Sequence, residues 1–149
     1  MITCASLNPS IDRTLTVPRL TPGGLNRVAR QTDVAAGKGV NVALAAAALG
    51  EEAACIGLMY SEGARLFEER LSAAGVACDF ARCEGAVRVN VKVLDEEKGE
   101  ITELNASGTP ATEAQLREMA ALAARHALIV LQNTDPRQRS CEPLQVPAR

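Results

Sequence analysis

A glycine-rich turn holds the first residues that could bind a ligand. Gly37, Lys38 and Gly39 stand directly before an alanine-rich apolar run that ends at Gly50, and Asn41 lies one turn into that run. A helix beginning here would present unpaired backbone N–H groups and the positive end of its dipole, both of which attract anions. Lys38 adds a positive charge and Asn41 adds an amide. The pattern indicates a site for a phosphorylated small molecule that carries hydroxyl groups.

Two phosphate-binding loops of known spacing do not fit this turn. A Walker A loop requires Ser or Thr after its lysine, where this chain has Gly39. The dinucleotide fingerprint requires Gly or Ala at the position that Val42 occupies. A purely structural interpretation also stays open at this point, because the same glycines could form a tight connection that leaves Lys38 exposed. Both glycines are expected to let the backbone turn sharply before a helix that is buried on most sides.

Polar side chains accompany two of the predicted strands. Asp12 follows the apolar stretch 1–6, at the strand end where α/β sheets place ligand-binding groups, but its position alone favours a turn residue. Further along, valine alternates strictly with Arg88, Asn90 and Lys92. Such alternation predicts a half-exposed strand with one apolar and one polar face. The polar face could be a solvated surface or a set of ligand contacts.

The composition limits the classes of partner. Three of the 149 residues are aromatic and the net charge is −2 without any basic run, so a nucleic-acid surface is not expected. Five cysteines without a Cys-x-x-Cys pair indicate reduced thiols rather than disulfides or zinc. Asn8, Asp12 and Arg13 interrupt the start before the apolar core of a signal peptide could form. We therefore expect a cytoplasmic protein that does not contact a membrane.

The order of predicted elements indicates an α/β fold. Strands are predicted at 1–6, 14–17, 25–34, 53–58, 76–81, 87–94, 100–105 and 127–131, and helices at 40–49, 62–74 and from 112 onward. Strands that alternate with helices pair in parallel, whereas 87–105 reads as an antiparallel hairpin. Thr112 with Gln115 predicts a capping box. Residues 132–149 show no sustained period and hold three of the seven prolines, which predicts a disordered tail.

Four separated motifs together resemble one family. They are Asn8-Pro-Ser-Ile-Asp12, Asn26-Arg27, Ala36-Gly-Lys-Gly-Val-Asn-Val-Ala43 and Arg88-Val-Asn-Val-Lys92. In this order they resemble the start of the ribokinase-like pfkB carbohydrate kinases, especially the branch of 1-phosphofructokinases and tagatose-6-phosphate kinases. The resemblance covers about 1–131 and implies a truncated ribokinase-like α/β sandwich. It also implies a small β-sheet lid built from about 13–34 and 87–105, and leaves 132–149 as a divergent tail.

The resemblance implies substrate-binding roles for residues of these motifs. The six residues are Asp12, Gly37, Lys38, Asn41, Arg88 and Asn90. Asp12 would bind sugar hydroxyls, the glycine-loop residues would line the sugar-phosphate pocket, and Arg88 and Asn90 would reach it from the lid. Arg27 would contact substrate or a second lid across a dimer, since lids of this family commonly form a dimer clasp. A forked arginine donor suits a phosphate.

The reaction that the resemblance implies is phosphoryl transfer from ATP, with Mg²⁺, to fructose 1-phosphate, giving fructose 1,6-bisphosphate. The family's catalytic aspartate ends a Gly-Ala-Gly-Asp motif in a C-terminal half, and that motif is absent from these 149 residues. No catalytic residue is therefore assigned, and this chain alone is expected neither to transfer phosphate nor to hold ATP and Mg²⁺ as the intact family does. Ala36 favours fructose 1-phosphate over tagatose 6-phosphate. A frameshift that replaced the native continuation from Gln132 onward would explain the truncated kinase. The alternatives are a fragment of a tagatose-6-phosphate kinase, a non-catalytic sugar-phosphate-binding or dimerisation module, and a non-functional gene remnant.

Overall fold

The computed structural model describes residues 1–126 and the strand at 129–131. The strands of this part are β1 (Ile2–Ser6), β2 (Ser10–Val17), β3 (Arg30–Ala36), β4 (Ala53–Glu62), β5 (Ala77–Ala86), β6 (Arg88–Asp95), β7 (Glu100–Leu104) and β8 (Ile129–Leu131). The helices are α1 (Lys38–Ala48), α2 (Ala64–Ala73) and α3 (Glu113–Ala123). The eight strands form two four-stranded sheets, in agreement with the predicted α/β fold that has a second, smaller sheet. The predicted tail at 132–149 lies outside the described residues.

The first sheet is parallel and has the strand order β5-β4-β1-β8. Its β4 strand is buried along its first eight residues, which explains the continuous apolar sequence at that point. Ile56 and Leu58 of β4 are fully buried, together with Phe67 and Leu71 of α2. The predicted parallel pairing through helical crossovers is confirmed. This sheet carries most of the hydrophobic core.

The second sheet has the order β3-β2-β6-β7 and mixed pairing. The β2–β3 and β6–β7 pairs are antiparallel, which confirms the predicted hairpin at 87–105, and β2 pairs with β6 in parallel. Most of its residues are half-buried or exposed, and β7 is exposed throughout. Its strands therefore rely on backbone hydrogen bonds more than on burial, and their polar faces are available for binding.

Several strand boundaries differ from the prediction. The strands predicted at 53–58 and 76–81 continue to Glu62 and Ala86, so residue 62 ends β4 instead of beginning α2. Two further differences bear on the cleft described below. The second strand begins at Ser10 instead of Thr14, so Asp12 lies inside a strand and not in a turn. The cause is pairing on both sides, because Asp12 stands opposite Val34 of β3 and Asn90 of β6. The returning strand begins at Arg30 instead of residue 25. Both corrections come from pairing partners distant in sequence.

The α1 helix is less buried than predicted. Gly39, Val40, Ala43 and Ala46 are buried and lie on one face, whereas much of the opposite side is exposed. The alanine-rich sequence therefore reflects close packing on one side, where small residues bring α1 near the first sheet. Gly50 has a φ of 86°, as expected for a left-handed residue after a helix.

Two other helix ends, the C-terminal end of α2 and the start of α3, carry the predicted capping residues. Gly75 follows α2 with a φ of 70°. The backbone of the next residue, Val76, donates to the Leu71 carbonyl at 3.0 Å, which completes a Schellman motif. At the start of α3, Thr112 and Gln115 form both hydrogen bonds of the capping box. None of the helices in the described part is long and apolar enough to cross a membrane.

Cysteines Cys4 and Cys55 stand opposite each other in β1 and β4 and are fully buried. Burial raises the pKa of the Cys55 thiol to about 12, so this group stays protonated at neutral pH. Both side chains act as small core residues, in line with their apolar sequence surroundings.

Candidate functional site

A cleft of about 420 Å³ lies where the start of α1 meets the polar face of the second sheet. This volume falls within the range of small-molecule sites. The cleft is lined by Asn8, Ser10, Asp12, Ala36, Gly37, Lys38, Asn41, Arg88, Asn90, Lys92, Glu103, Asn105, Ala106 and Ser107. These residues come from four separated stretches of sequence. Backbone pairing of β2 with β6, and of β6 with β7, brings three of the stretches together.

The start of α1 forms one wall of the cleft. Gly37 precedes the helix with a φ of 123°, a backbone conformation that residues other than glycine rarely adopt. The first intrahelical bond runs from the Asn41 N–H to the Gly37 carbonyl at 2.9 Å, which leaves the amides of 38–40 without a helical acceptor. Within the described chain no side chain caps this end. The amides and helix dipole therefore favour an anion here.

Gly39 has a different role from the one predicted. It lies inside α1, and a Cβ at this position would come within 2.3 Å of the Ala5 carbonyl oxygen and 2.8 Å of the Ser6 nitrogen. Only a glycine lets the first turn of α1 contact the backbone of β1 this closely. The prediction that both glycines turn the backbone is therefore wrong for Gly39, which is required for packing, while the prediction for Gly37 is confirmed.

Asp12 projects into the cleft with three hydrogen bonds already made. The Lys92 ammonium donates to Oδ2 at 2.9 Å, the Asn90 amide donates to Oδ1 at 3.1 Å, and the Ser10 hydroxyl donates to Oδ1 at 3.3 Å. Burial raises the pKa of Asp12, but the Lys92 and Asn90 hydrogen bonds and the Lys92 charge outweigh it, so the pKa lies below its usual range. The same pairing raises the pKa of Lys92. Both groups are charged at neutral pH.

Arg88 joins the second sheet to the loop that follows β7. Its Nη1 donates to the Asn90 side-chain oxygen at 3.0 Å and to the Ala106 carbonyl at 2.8 Å, and its Nη2 donates to the Asn8 carbonyl at 3.4 Å. Burial lowers the pKa of Arg88, and nearby Asp12 opposes that change. Nε is buried without a partner in the described part of the chain. The guanidinium is thus fixed in place at the cleft and stays charged.

The loop 105–109 forms the rim of the cleft and was not predicted from the sequence. The Asn8 amide donates to the Ser107 carbonyl at 3.2 Å, and the Tyr60 hydroxyl donates to the Thr109 carbonyl at 3.3 Å. Gly108 has a φ of 84°, and a Cβ there would lie 2.8 Å from the Asn8 side-chain oxygen. A positive φ and this close contact together require glycine. The sequence signal was Gly108 itself, shortly before Pro110.

Mg²⁺ has no evident binding site in the described residues. They contain no group of three or more His, Cys, Asp or Glu side chains placed to hold a metal ion. Asp12 is occupied by Lys92, which leaves it poorly suited as a metal ligand. The donor set of the cleft therefore suits a ligand with phosphate and hydroxyl groups better than it suits a divalent cation.

Comparison with known families accounts for this combination of helix start and polar sheet. The sequence pattern described as "pfkB family carbohydrate kinase" matches residues 3–142. This chain belongs to the pfkB family of carbohydrate kinases. The match extends past Leu131, the residue at which the resemblance was predicted to end from the sequence motifs.

Individual relatives agree with the family. The chain is 42% identical over 120 residues to 1-phosphofructokinase of Rhodobacter capsulatus, covering 80% of this chain and 38% of that protein. It is 35% identical over 135 residues to 1-phosphofructokinase of Vibrio cholerae, covering 88% and 42%. The chain thus spans about two fifths of the length of these relatives.

Solved structures show the same fold. Phosphofructokinase-2 from Escherichia coli, in complex with fructose-6-phosphate, superposes with a TM-score of 0.77 at 25% identity, covering 85% of this chain and 41% of that one. Ribokinase from Thermotoga maritima superposes with a TM-score of 0.62 at 19% identity, covering 71% and 36%, which shows the fold alone. The expected ribokinase-like architecture, present here in part, is therefore confirmed.

The structure brings the predicted binding residues together, with one exception. Asp12, Gly37, Lys38, Asn41, Arg88 and Asn90 all line the same cleft. Arg27 does not, and is exposed in the loop between β2 and β3. Asn8, Lys92 and Glu103 also line the cleft but were not among the six predicted substrate-binding residues. Lys92 shares the alternating face of Arg88 and Asn90, which could have identified it. That these residues bind substrate stays a prediction.

Proposed function

We propose that this chain forms the sugar-phosphate-binding part of an ATP-dependent hexose-phosphate kinase, with fructose 1-phosphate as substrate and fructose 1,6-bisphosphate as the product of the complete enzyme. One observation carries the proposal. The uncapped start of α1, the Asp12 carboxylate and the Arg88 guanidinium come from separate segments and converge on one cleft. The names of the 1-phosphofructokinase relatives support the choice of substrate.

The charges of the cleft suit a phosphorylated sugar. Its lining holds three cationic side chains and two carboxylates, so a net positive charge faces the ligand; the cations are Lys38, Arg88 and Lys92, and the carboxylates are Asp12 and Glu103. The phosphate would bind at the amides of 38–40 beside Lys38. Asn41, Asn90 and Asp12 would bind the sugar hydroxyls, because amides and carboxylates match that mixture of donors and acceptors.

Phosphoryl transfer requires groups beyond this cleft. A general base works best when its pKa lies near the working pH, yet the pKa of Asp12 is lowered by its hydrogen bonds with Lys92 and Asn90. Asp12 therefore suits hydroxyl binding better than proton removal. In the complete family protein, ATP and Mg²⁺ would supply and neutralise the transferring phosphoryl group, and the Gly-Ala-Gly-Asp aspartate would accept the proton. We propose that the 149-residue chain binds sugar phosphate without turnover.

Assembly through the second sheet is the proposed partner interaction. Leu25 is 83% exposed, and Ile101 and Leu104 are each 61% exposed, which leaves large apolar side chains uncovered on the β-strands and loop of that sheet. A second copy of the chain would bury them and form a homodimer. Escherichia coli phosphofructokinase-2 has a tetrameric inhibited form, so a relative does assemble. Arg27, in the same loop as Leu25, would then contact the cleft or lid of the second copy.

Isothermal titration of the 149-residue chain with fructose 1-phosphate tests the proposal. We expect saturable binding and at least about a tenfold loss in Lys38→Ala, since one charge-assisted hydrogen bond contributes about 1.5–3 kcal/mol. Lys98→Ala, on an exposed turn outside the cleft, is the matched control and should bind like the parent. Equal affinity for both variants would contradict the assignment, and tighter binding of tagatose 6-phosphate would transfer it to the other branch of the family.

A further inference from the structure

We infer that Lys92 is a positioning residue of the sugar site, which holds the Asp12 carboxylate so that it accepts a single substrate hydroxyl. The inference rests on the proposed sugar-phosphate binding and adds a role for a residue outside the predicted set. Lys92 does not need to touch the ligand to act in this way. It acts through Asp12.

The contacts between the two residues support a fixed orientation. Asp12 lies on β2 and Lys92 on β6, and the parallel register sets Asp12 opposite Asn90 and Thr14 opposite Lys92. The ammonium therefore reaches back along its strand to Oδ2 at 2.9 Å. The side chains of Lys92 and Asp12 are 32% and 25% exposed. A pair shielded to this degree is screened less than a surface ion pair, and it holds both side chains more firmly.

The hydrogen-bond capacity of the carboxylate explains the single hydroxyl. An ionised carboxylate offers about four acceptor positions. Lys92 occupies one on Oδ2, and Asn90 and Ser10 occupy two on Oδ1. One position remains for a ligand. Because the neighbouring donors define which position is free, they also define the direction from which a sugar hydroxyl must approach.

Other charged groups face Asp12 from the surrounding elements. Arg88 shares β6 with Lys92, Glu103 stands directly opposite Lys92 on β7, and Lys38 approaches from α1. The ion pair that the structure shows for Asp12 is nevertheless with Lys92. Removing the Lys92 ammonium would leave Oδ2 free to rotate toward other donors. The carboxylate would then lose its fixed orientation and become easier to protonate.

The test compares Lys92→Met, Lys92→Arg and Lys98→Met with the parent chain. Titration with fructose 1-phosphate should give about tenfold weaker binding for Lys92→Met, the equivalent of one charge-assisted hydrogen bond. Lys92→Arg, which keeps the ion pair, should stay within about threefold, and Lys98→Met should not change. Every variant is measured with the same ligand at the same pH. The charge of the ligand phosphate is therefore identical throughout and cannot explain a difference between variants.

The pH profile separates positioning from a general structural effect. With Lys92 removed, the pKa of Asp12 should rise. As the pH is lowered, Asp12 is then protonated earlier, so binding should be lost at a higher pH than in the parent chain. Carboxyl carbon NMR of Asp12 in the ligand-free chain measures the same pKa directly. In the parent it should lie below the value of an unperturbed aspartate.

Each outcome supports or overturns a defined statement. If the parent binds fructose 1-phosphate and Lys92→Met binds it equally well with the same pH profile, the role of Lys92 is wrong. If the parent does not bind, the proposed function fails instead. If circular dichroism shows that Lys92→Met is unfolded, the NMR measurement of the Asp12 pKa in the parent chain is used instead. A pKa at or above that of an ordinary aspartate overturns the inference.

Discussion

The two sheets of this protein differ in what surrounds them. The parallel first sheet is buried, and its β4 strand has apolar side chains on both faces. The second sheet is half exposed, and one of its faces carries Asp12, Arg88 and Asn90. The α1 helix packs on this buried sheet, which places its open end at the polar face of the second sheet. The comparison shows one region that supplies stability and another that supplies the binding groups.

The largest expected effect is on the stability of the first sheet. In Gly39→Ala the new methyl group would overlap the Ala5 carbonyl at 2.3 Å, so α1 must move away from β1. We expect the free energy of unfolding to fall by about 3 kcal/mol, at the upper end of overpacking effects. Gly50→Ala is the control, since its Cβ would meet nothing within 4 Å and it should cost about 1 kcal/mol for its positive φ.

Urea denaturation followed by circular dichroism measures both variants. A smaller loss for Gly39→Ala than for Gly50→Ala would show that the contact between α1 and β1 is not as tight as described. It would also weaken the contrast between the two sheets, because α1 would no longer be held by its packing on β1.

The second prediction concerns binding rather than stability. Arg88→Lys replaces a guanidinium that bonds Asn90, Ala106 and Asn8 with a single ammonium, which cannot reach all three acceptors. We expect fructose 1-phosphate to bind about tenfold more weakly. Proteolysis in the loop 105–109 should become faster, because the loop loses one of its anchors.

Arg125→Lys provides the control for this change. Arg125 is exposed and pairs with Asp79 at 3.5 Å, away from the cleft. Its replacement should alter neither binding nor proteolysis. If Arg88→Lys and Arg125→Lys behave alike, the polar face of the second sheet does not organise the site.

The smallest expected effect is the pH dependence of the Asp12–Lys92 pair. The folded-state pKa of Asp12 is lowered, so the pair stabilises the fold above the unfolded pKa of about 3.9 and loses that contribution as pH falls through the folded pKa. Asp12→Asn removes this dependence. The stability difference between parent and variant should be below about 1 kcal/mol, constant from about pH 5 to 8, and smaller at lower pH.

Urea denaturation of both proteins, from pH 8 down to pH values below the unfolded pKa of about 3.9, checks the prediction. A difference that grows on acidification would have the wrong sign and would mean that Asp12 is not stabilised as a carboxylate. Such a result would remove the electrostatic basis for treating the second sheet as the region of binding groups.

Local sequence patterns predicted the first sheet better than the second. A buried strand requires consecutive apolar residues, as at 53–58, and a capping box requires two polar residues three positions apart, as at Thr112. Both patterns can be recognised within a few residues of sequence. The pairing of β2 with β6 joins residues about 78 positions apart, as in the Asn90–Asp12 hydrogen bond, and leaves no local signal. For that reason the sequence placed Asp12 in a turn and did not relate it to Lys92.

The candidate site was predictable where residue type alone limits the chemistry. Gly37, Lys38 and Asn41 follow from the requirements of an anion at a helix start. The role of Gly39 was misjudged, because its close contact with Ala5 depends on how α1 packs on β1. The rim at 105–109 was missed since it is held by Asn8 and Tyr60 from other parts of the chain.

The most direct test of the account is a map of backbone amide chemical shifts during titration with fructose 1-phosphate. We predict that the largest changes occur at the amides of Lys38, Gly39 and Val40, with further changes on β6 at Arg88 and Asn90. This result would locate the phosphate at the open start of α1. Saturable changes confined to other parts of the chain, with the amides of 38–40 unaffected, would contradict it.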